Sequence, residues 1–371
     1  MMGPAPPLEI DPPLINSACP WATTLEDLRL LHACPSTGAV TTRTSLINGF
    51  DHGPAKHQYA FFDAAHRSSA QNASLNSLGY SPLTLETYLG FIQTISDEQP
   101  GRSRKGFIVS VTGTPEDIAA SYKSVSSAAT TVNFPLAMEI NLSCPNIPNR
   151  PPPAYSEEAL TTYLTHLQAA ISTAHADNTP RIPVGLKTPP YTYSTQFHAL
   201  VSALEKATAS ITTITGVDAR KGGGGEEEGE KEQRTCPISF ITATNTLGSC
   251  LLFSSSSSSS SFSSTTSSPS PATPVLPGSG IGGMAGSPLH PLALGNVATL
   301  RRMLDESGSA SDVLSRVRLV GVGGVLDAEG YKRMRAAGAD FVGLATGLGV
   351  KGVGVFDEVG RVLGLGVGDG E

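Results

Sequence analysis

The feature that most constrains this chain is the regular alternation of short apolar segments with helix-like segments along most of its length. The apolar segments have the continuous apolar composition of parallel strands that are buried on both faces. These segments are Leu14–Ala18, Gly38–Arg43, Gly106–Thr112, Leu136–Leu142, Ile182–Lys187, Ile238–Ala243, Val317–Val322 and Asp340–Ala345. Eight alternations of this kind favour a closed (β/α)8 TIM barrel, an α/β fold, over an open doubly wound sheet.

Apolar residues with helical spacing lie between these strands. A helix is predicted to begin at Ser156, because Glu157 and Glu158 follow it and apolar residues then recur on one stripe. The other predicted helices are Thr24–Ala33, Leu83–Ser96, Pro115–Ala129, Thr195–Thr208, Leu294–Glu306, Asp327–Ala337 and Val355–Leu363. The alternation therefore extends from near the first residue to near the last.

Two stretches have compositions that do not fit a barrel. Residues 221–233 are rich in glycine and glutamate, and residues 253–278 contain a serine run followed by a mixture of serine, threonine and proline. Neither composition buries enough apolar surface to offset the entropy lost on ordering, so disordered loop insertions are predicted. A linker between two domains is disfavoured because the alternation resumes after each stretch. A single barrel domain over residues 1–371 is the prediction.

Charge and cysteine content limit the partners and the compartment. The net charge is −7 and the chain has no run of lysine and arginine, which argues against nucleic-acid binding. No segment has the roughly 18 uninterrupted apolar residues of a membrane helix, and residues 1–13 lack the pattern of a signal peptide. The five cysteines have no CxxC spacing. Free thiols, a cytoplasmic location and no metal site are therefore expected.

Polar and glycine residues follow several of the strands, where the active sites of such barrels form. Gly323-Gly324 follows the seventh strand and Ala345-Thr346 ends the eighth. Backbone N–H groups at these two strand ends often hold a phosphate, although glycines there also serve as ordinary turn residues. A glycine loop at residues 282–286 is a candidate addition to this site.

Lys187 and a set of asparagines suggest a polar, anionic ligand. Lys187 ends an apolar strand, where an unpaired ammonium is costly, so it either extends to solvent or faces an anion. An asparagine amide both donates and accepts hydrogen bonds and suits a planar, amide-like ligand, although a single asparagine is usually a turn residue. The asparagines near strand ends are Asn76, Asn141, Asn146 and Asn245.

Cys144 is the candidate reactive group. A lone buried cysteine is usually a small core residue, but Cys144 lies in a loop beside asparagines and prolines. Local hydrogen-bond donors raise the thiolate fraction, so the thiol can act as a base or as a nucleophile. A nucleophilic thiol needs a nearby histidine. His52, His57 and His66 instead share a long loop, where solvated or core roles are expected.

The motif Asn-Leu-Ser-Cys-Pro-Asn at 141–146 resembles the active-site loop of dihydroorotate dehydrogenases, in particular the soluble, fumarate-using class that carries cysteine as its base. Further segments resemble the same family in the same order along the chain. They are Asn16–Ala18, Ser74–Gly79, Gly185–Tyr191, Thr244–Thr246, Gly282–Gly286, Gly321–Val325 and Ala345–Thr346.

The resemblance implies a barrel enzyme that binds FMN, oxidises dihydroorotate to orotate in pyrimidine biosynthesis, passes electrons to fumarate and forms a homodimer. Cys144 would then remove the C5 proton. The resemblance assigns substrate binding to Asn76, Ser77, Leu78, Gly79, Asn141, Asn146, Asn245 and Thr246. It assigns flavin binding to Ala18, Arg43, Asn141, Lys187, Thr244, Gly286, Gly323, Gly324, Ala345 and Thr346.

The chain departs from the family pattern at three places. Arg43 stands where the family usually has lysine, Tyr80-Ser81-Pro82 replaces the usual Leu-Pro-Asn, and the serine-rich insertion replaces a short connection. Arginine is planar and bulkier than lysine, so the exchange is not neutral. Two alternatives therefore stay open: a flavin barrel that acts on another ene or dihydropyrimidine substrate, and a non-catalytic ligand-binding relative.

Overall fold

Eight parallel strands close into a barrel in the structure, a computed structural model that describes residues 5–65, 71–99, 101–143, 152–214, 230–254 and 272–365. In chain order the barrel strands are Leu14–Asn16, Ala39–Thr41, Gly106–Val111, Leu136–Asn141, Val184–Thr188, Phe240–Ala243, Arg318–Val322 and Phe341–Leu344. Each lies within or overlaps one predicted strand. The predicted (β/α)8 barrel is confirmed.

Each barrel strand pairs with its neighbours in sequence, and the first strand closes the ring by pairing with the eighth. Leu14 lies opposite Val342 in this closing pair, and Ile15 lies opposite Ala39 in the pair with the second strand. Because all the strands are parallel, their carboxyl ends meet at one end of the barrel. The loops that carry the candidate functional residues therefore converge there.

Helices cover the outside of the barrel, mostly as predicted. The α-helices are Leu25–Ala33, Leu85–Asp97, Pro115–Ala128, Glu157–Ala176, Ser194–Ala207, His290–Asp305, Ser311–Leu314, Ala328–Ala336, Thr346–Lys351 and Gly354–Leu363. Thr24 and Thr114 begin two of them with reciprocal capping boxes to Asp27 and Asp117. The helix predicted from Leu294 begins earlier, at His290, because Pro291 is tolerated in a first helical turn. None of the described helices is long and apolar enough to cross a membrane.

The barrel interior is apolar at its amino-terminal end. One buried cluster there combines residues that point inward from the strands with two residues of the entering chain, Leu8 and Ile10. The strand residues of this cluster are Ile15, Ala39, Ile108, Ala137, Phe240, Val320, Val322 and Phe341. A cavity lined in part by Leu8, Ile10, Ala39, Ile108 and Ala137 remains at this end, and polar side chains occupy the other end.

A second sheet, which we call the cap sheet, was not predicted. It consists of the antiparallel strands Tyr59–Phe62, Ala73–Asn76, Ile281–Gly286 and Leu247–Leu251. All of residues 282–286 lie within the strand Ile281–Gly286, so the prediction of a glycine loop there is wrong. Gly282 is required there because a Cβ atom would lie 2.5 Å from the carbonyl oxygen of Asn76 on the neighbouring strand.

The two predicted insertions are each closed at their base by antiparallel pairing. Ala209–Ile214 pairs with Glu230–Thr235, and Phe253 forms a bridge with Pro274. The pairing therefore reaches the edges of the stretches 221–233 and 253–278. Residues 215–229 and 255–271 lie outside the described residues, so disorder there stays a prediction.

Gly185 gives a direct test of packing inside the barrel. Its Cβ position is occupied by the ring of Phe240, so we expect Gly185→Ala to destabilise the protein by about 1–3 kcal/mol through overpacking. Gly90→Ala is the matched control, because Gly90 is an exposed residue of the helix Leu85–Asp97 and no atom lies within 4 Å of the position a Cβ atom would take. That change should stabilise by up to about 1 kcal/mol. Urea unfolding midpoints measure both, and an unchanged midpoint for Gly185→Ala would contradict the described packing.

Candidate active site

A cleft lies at the carboxyl ends of the barrel strands, between the barrel and the cap sheet. It has two parts that share Ala18, Lys187, Asn245, Thr246, Ala285, Ala345 and Thr346. The first part, the polar pocket, is also lined by Arg43, Asn76, Leu78, Gly79 and Asn141. The second part, the glycine pocket, is also lined by Thr244, Gly286, Gly323 and Gly324.

The structure thus brings most of the predicted site residues into one cleft. Ser77 does not line it; its hydroxyl instead donates to the carbonyl of Lys56 at 2.9 Å and holds the loop before the cap sheet. Cys144 and Asn146 lie outside the described residues, so their predicted roles stay predictions. The last described residue before that gap, Ser143, is buried at the edge of the cleft.

Lys187 places a buried positive charge in both pockets. Its side chain is only 3% exposed, so it does not extend to solvent. Its Nζ donates to the hydroxyl of Ser17 at 3.1 Å. Among the described residues, no carboxylate forms an ion pair with it. Because a buried charge without a counter-charge is costly, this lysine indicates an anionic ligand.

Arg43 adds a second buried cation to the polar pocket. Its guanidinium donates to the carbonyl oxygen of Tyr80 at 3.1 Å, and burial lowers its pKa. The bond joins the segment after the second barrel strand to the loop that carries Leu78 and Gly79. Arginine therefore positions the predicted substrate loop as well as contributing charge.

The asparagines form a connected group on the floor of the polar pocket. Asn141 Oδ1 accepts from the Ser143 hydroxyl at 2.8 Å, and Asn245 Nδ2 donates to the oxygen of that hydroxyl at 2.9 Å. Asn245 Oδ1 accepts from the backbone N–H of Thr246 at 2.8 Å. Asn76 lies on the opposite wall, where its amide donates to the carbonyl of Gly283 at 3.2 Å. The pocket therefore presents fixed amide groups on two sides.

The glycine pocket has the conformations and the free polar group that a phosphate site requires. Gly286, Gly323 and Gly324 have φ values of 88°, 139° and 71°, which residues with a side chain rarely adopt. Within the described part of the chain, the buried hydroxyl of Thr244 has no hydrogen-bond partner. A buried hydroxyl without a partner is costly unless a ligand satisfies it.

Sequence reasoning missed a histidine that holds this turn in place. Arg333 Nε donates to His290 Nε2 at 3.1 Å, which leaves Nδ1 as the protonated nitrogen that donates to the carbonyl of Gly323 at 2.7 Å. The two residues lie on different helices, so no local pattern joins them. His290 thereby fixes the backbone of the predicted phosphate turn.

Sequence reasoning also missed an aromatic wall of the polar pocket. Trp21, the single tryptophan of the chain, stacks on Phe61 with ring centres 5.4 Å apart and meets Tyr59 edge-on at 5.6 Å. Trp21 and Tyr59 line the pocket. Tyr59 and Phe61 belong to the cap sheet, so this wall could not be found without predicting that sheet. It offers flat apolar surface beside the two cations.

The fold and the cleft together define the class of the protein as a (β/α)8 barrel with a cleft at the carboxyl ends of its strands, lined by two buried cations and several amides. Comparison with known proteins narrows this class. The sequence model of the family described as Dihydroorotate dehydrogenase matches residues 65–223.

Individual relatives extend the match over nearly the whole chain. A Trypanosoma cruzi protein named dihydroorotate dehydrogenase (fumarate) is 26% identical over 349 residues, covering 94% of this chain and 87% of the relative. A Streptococcus pneumoniae protein named probable dihydroorotate dehydrogenase A (fumarate) is 24% identical over 356 residues, covering 96% and 89%. The chain is therefore similar to dihydroorotate dehydrogenases over nearly its whole length, and the resemblance found in its motifs is confirmed.

Solved structures agree on the fold. The Eimeria tenella dihydroorotate dehydrogenase solved in complex with ferulenol superimposes with a TM-score of 0.62 at 15% sequence identity. The match covers 95% of this chain and 80% of that one. At this identity the likeness concerns the barrel architecture alone.

Cys19 lines the polar pocket, and its chemistry can be tested separately from that of Cys144. Burial raises the pKa of the Cys19 thiol to about 12, so at pH 8 it stays protonated and is neither a base nor a nucleophile. We expect iodoacetamide at pH 8 to leave Cys19 unmodified in the native protein and to modify it after unfolding in urea. Mass spectrometry of the digested protein measures this. Rapid native labelling of Cys19 would contradict its burial.

Proposed function

We propose that this protein is an FMN-dependent dihydroorotate dehydrogenase that oxidises (S)-dihydroorotate to orotate for pyrimidine biosynthesis and uses fumarate as electron acceptor. The observation that carries the proposal is the buried charge of Lys187, which lacks a carboxylate partner in the described chain and adjoins both pockets. The reaction itself is taken from the names of the relatives that match nearly the whole chain.

The residues of the cleft fit a flavin mononucleotide. The phosphate would lie in the glycine pocket, where Gly286, Gly323 and Gly324 permit close backbone approach and the Thr244 hydroxyl needs a partner. Ala18, Arg43, Asn141, Lys187, Ala345 and Thr346 would surround the rest of the cofactor. When bound, the flavin supplies the hydride acceptor that the side chains of this chain lack. Lys187 would then stabilise negative charge on the ring.

The substrate would occupy the polar pocket. Asn76, Asn141, Asn146, Asn245 and Thr246 would hold the dihydropyrimidine ring, and the segment Ser77–Gly79 would close over it. Arg43 supports this arrangement because its bond to the Tyr80 carbonyl joins the segment to the barrel. A carboxylate on the ligand would find two buried cations nearby, which favours an anionic substrate.

Cys144 would accept the proton from C5 of dihydroorotate. This carbon is a weak acid, so its deprotonation needs a base held at a fixed position. The strand end that carries the loop is held firmly, since Asn141 and Ser143 are both buried and hydrogen-bonded to each other. Serine in place of the thiol would keep the shape, but its hydroxyl ionises far less readily than a thiol, so much less of the base would be available.

The proposed reaction can be tested in two halves. Purified protein should show the visible absorbance of bound flavin. In the absence of oxygen, dihydroorotate should bleach this absorbance, and fumarate should then restore it. Cys144→Ala should retain the flavin but slow the bleaching by at least about a hundredfold, the usual contribution of a positioned base. Cys144→Ser should fall between the two proteins.

The outcomes separate the alternatives. Flavin that dihydroorotate does not bleach would move the substrate assignment to another dihydropyrimidine, with Arg43 and Tyr80 as the residues to examine. Protein purified without flavin, which also takes up none when FMN is added, would overturn the proposal and favour a ligand-binding protein. Undiminished bleaching in Cys144→Ala would overturn only the assignment of the base.

The proposal includes a homodimer in the cytoplasm. Leu251, Phe253 and Ile281 form an apolar patch on the edge of the cap sheet, with exposures of 43%, 49% and 44%. Leu251 lies opposite Ile281 in the strand pair, so these side chains share a face. A contiguous exposed apolar patch favours association with another copy. Cys19, Cys34, Cys236 and Cys250 are free thiols, which suits a reducing compartment.

The dimer can be tested with a charge placed in this patch. We expect Leu251→Arg to shift the protein from dimer to monomer in sedimentation velocity, because an unpaired charge is costly in an apolar interface. Val362→Arg is the matched control, since Val362 is an exposed apolar residue on the helix Gly354–Leu363. A dimer that survives Leu251→Arg but dissociates with Val362→Arg would place the interface elsewhere.

A further inference from the structure

A buried carboxylate lies inside the barrel, one layer below the polar pocket. Glu139 is 3% exposed and precedes Asn141 by two positions on the fourth strand, so the two side chains point to the same face. Its two oxygens accept from the Ser110 hydroxyl at 2.8 Å and the Thr242 hydroxyl at 2.7 Å. No lysine or arginine among the described residues forms an ion pair with it. Neither the family motifs nor the proposed reaction uses this group.

Hydrogen bonds connect Glu139 to the floor of the pocket. Ser110 lies 2.9 Å from the hydroxyl of Thr44, and Thr44 lies 3.0 Å from the side-chain nitrogen of Asn141. We call the series Glu139, Ser110, Thr44 and Asn141 the hydrogen-bond chain. Ser110 is fully buried and does not line the pocket, whereas Thr44 and Asn141 do.

The direction of every bond in this chain follows from counting hydrogens. A carboxylate only accepts, so Ser110 gives its single hydroxyl hydrogen to Glu139. Ser110 must therefore accept from Thr44, and Thr44, having given its hydrogen, must accept from Asn141. The amide of Asn141 is thus oriented with Nδ2 toward Thr44 and Oδ1 toward Ser143 and Asn245.

The same counting fixes what the pocket offers a ligand. Asn141 Oδ1 already accepts from Ser143 and Asn245, whereas one hydrogen of its Nδ2 has no acceptor among the described residues. Asn245 directs its Nδ2 toward Asn141 and Ser143. Its Oδ1 accepts one bond from the Thr246 backbone, and its second lone pair can accept from a ligand. Asn141 therefore presents a donor and Asn245 an acceptor. A ring edge with adjacent C=O and N–H groups matches this pair.

We propose that Glu139 is a positioning residue that acts through Ser110 and Thr44 to set the donor and acceptor pattern of the pocket. The role is separate from catalysis, since Glu139 touches neither pocket. Without the contact to Glu139, the hydroxyls of Ser110 and Thr44 can rotate so that the Thr44 hydrogen points at Asn141 Nδ2. That hydrogen would then repel the amide hydrogens of Asn141. The ligand assignment, an imide-like ring edge, rests on the function proposed above; the orientation of Asn141 does not.

The test removes the Ser110 hydroxyl, which interrupts the hydrogen-bond chain. It compares this change with removal of the Thr242 hydroxyl, which also bonds to Glu139 but lies outside the chain. Ser110→Ala removes the link to Thr44, and Thr242→Val removes the other hydroxyl partner while nearly preserving its shape. Both variants cost Glu139 one hydrogen bond, but only the first interrupts the chain. Ser110→Cys, which fills the original volume with a weak donor, replaces Ser110→Ala if that variant does not fold.

Two readouts are measured on the full chain, loaded with flavin if the protein takes it up and as purified if it does not. Selective ¹⁵N labelling of asparagine, with Asn141→Asp for assignment, reports the side-chain amide resonance of Asn141. Calorimetry reports the Kd of orotate. We expect Ser110→Ala to shift the Asn141 resonance and weaken orotate binding about fivefold, the effect of one hydrogen bond. Thr242→Val should leave the resonance in place and the Kd within twofold.

Each result has one meaning. An Asn141 resonance that is unmoved by Ser110→Ala, or moved equally by Thr242→Val, would overturn the role of Glu139 whatever the protein binds. A selective shift in a protein that fails to bind orotate would support the orientation and overturn the proposed substrate. A selective shift with a selective loss of affinity would support both.

Discussion

The pairing of the first barrel strand with the eighth is the interaction on which the rest of this structure depends. Leu14 and Val342 are separated by nearly the whole chain, yet their pairing turns a sheet of parallel strands into a closed ring. Closure satisfies the backbone groups that an open edge would expose, and it gathers all carboxyl ends at one rim. Ala18 follows the first strand and Thr346 follows the eighth, and the closed ring lets both line one cleft with Lys187 of the fifth strand.

The barrel interior changes character along its axis. Apolar side chains line the amino-terminal end, where Leu8 and Ile10 belong to one buried cluster with Phe240 and Phe341. Polar groups begin with Glu139 and Thr242 and continue to the rim. Packing at one end supplies stability, which allows the other end to hold buried cations and a buried carboxylate. The unfavourable burial of these charges is tolerated because it gives the cleft a fixed electrostatic and hydrogen-bonding pattern.

The barrel could be predicted from the sequence because parallel strands buried on both faces leave continuous apolar runs such as those around Ile108 and Ile140. Once the barrel was predicted, the residues that follow each strand could be identified as candidate site residues. The cap sheet could not be predicted, because its strands are short, contain glycine, serine and asparagine, and pair Gly283 with Asn76 across most of the chain. The aromatic wall around Trp21 and the contact between His290 and Gly323 depend on similar long-range packing, which no local pattern records.

Both low-complexity stretches leave and re-enter the fold at adjacent points. Ile214 pairs with Glu230, and Phe253 pairs with Pro274, so the chain ends of each stretch are held side by side. The entropy of closing a loop rises only slowly with length, by about 0.6 kcal/mol for each doubling. A change in the length of these segments should therefore cost the fold little free energy. Such positions are also suitable points for inserting a foreign domain or a label into this barrel.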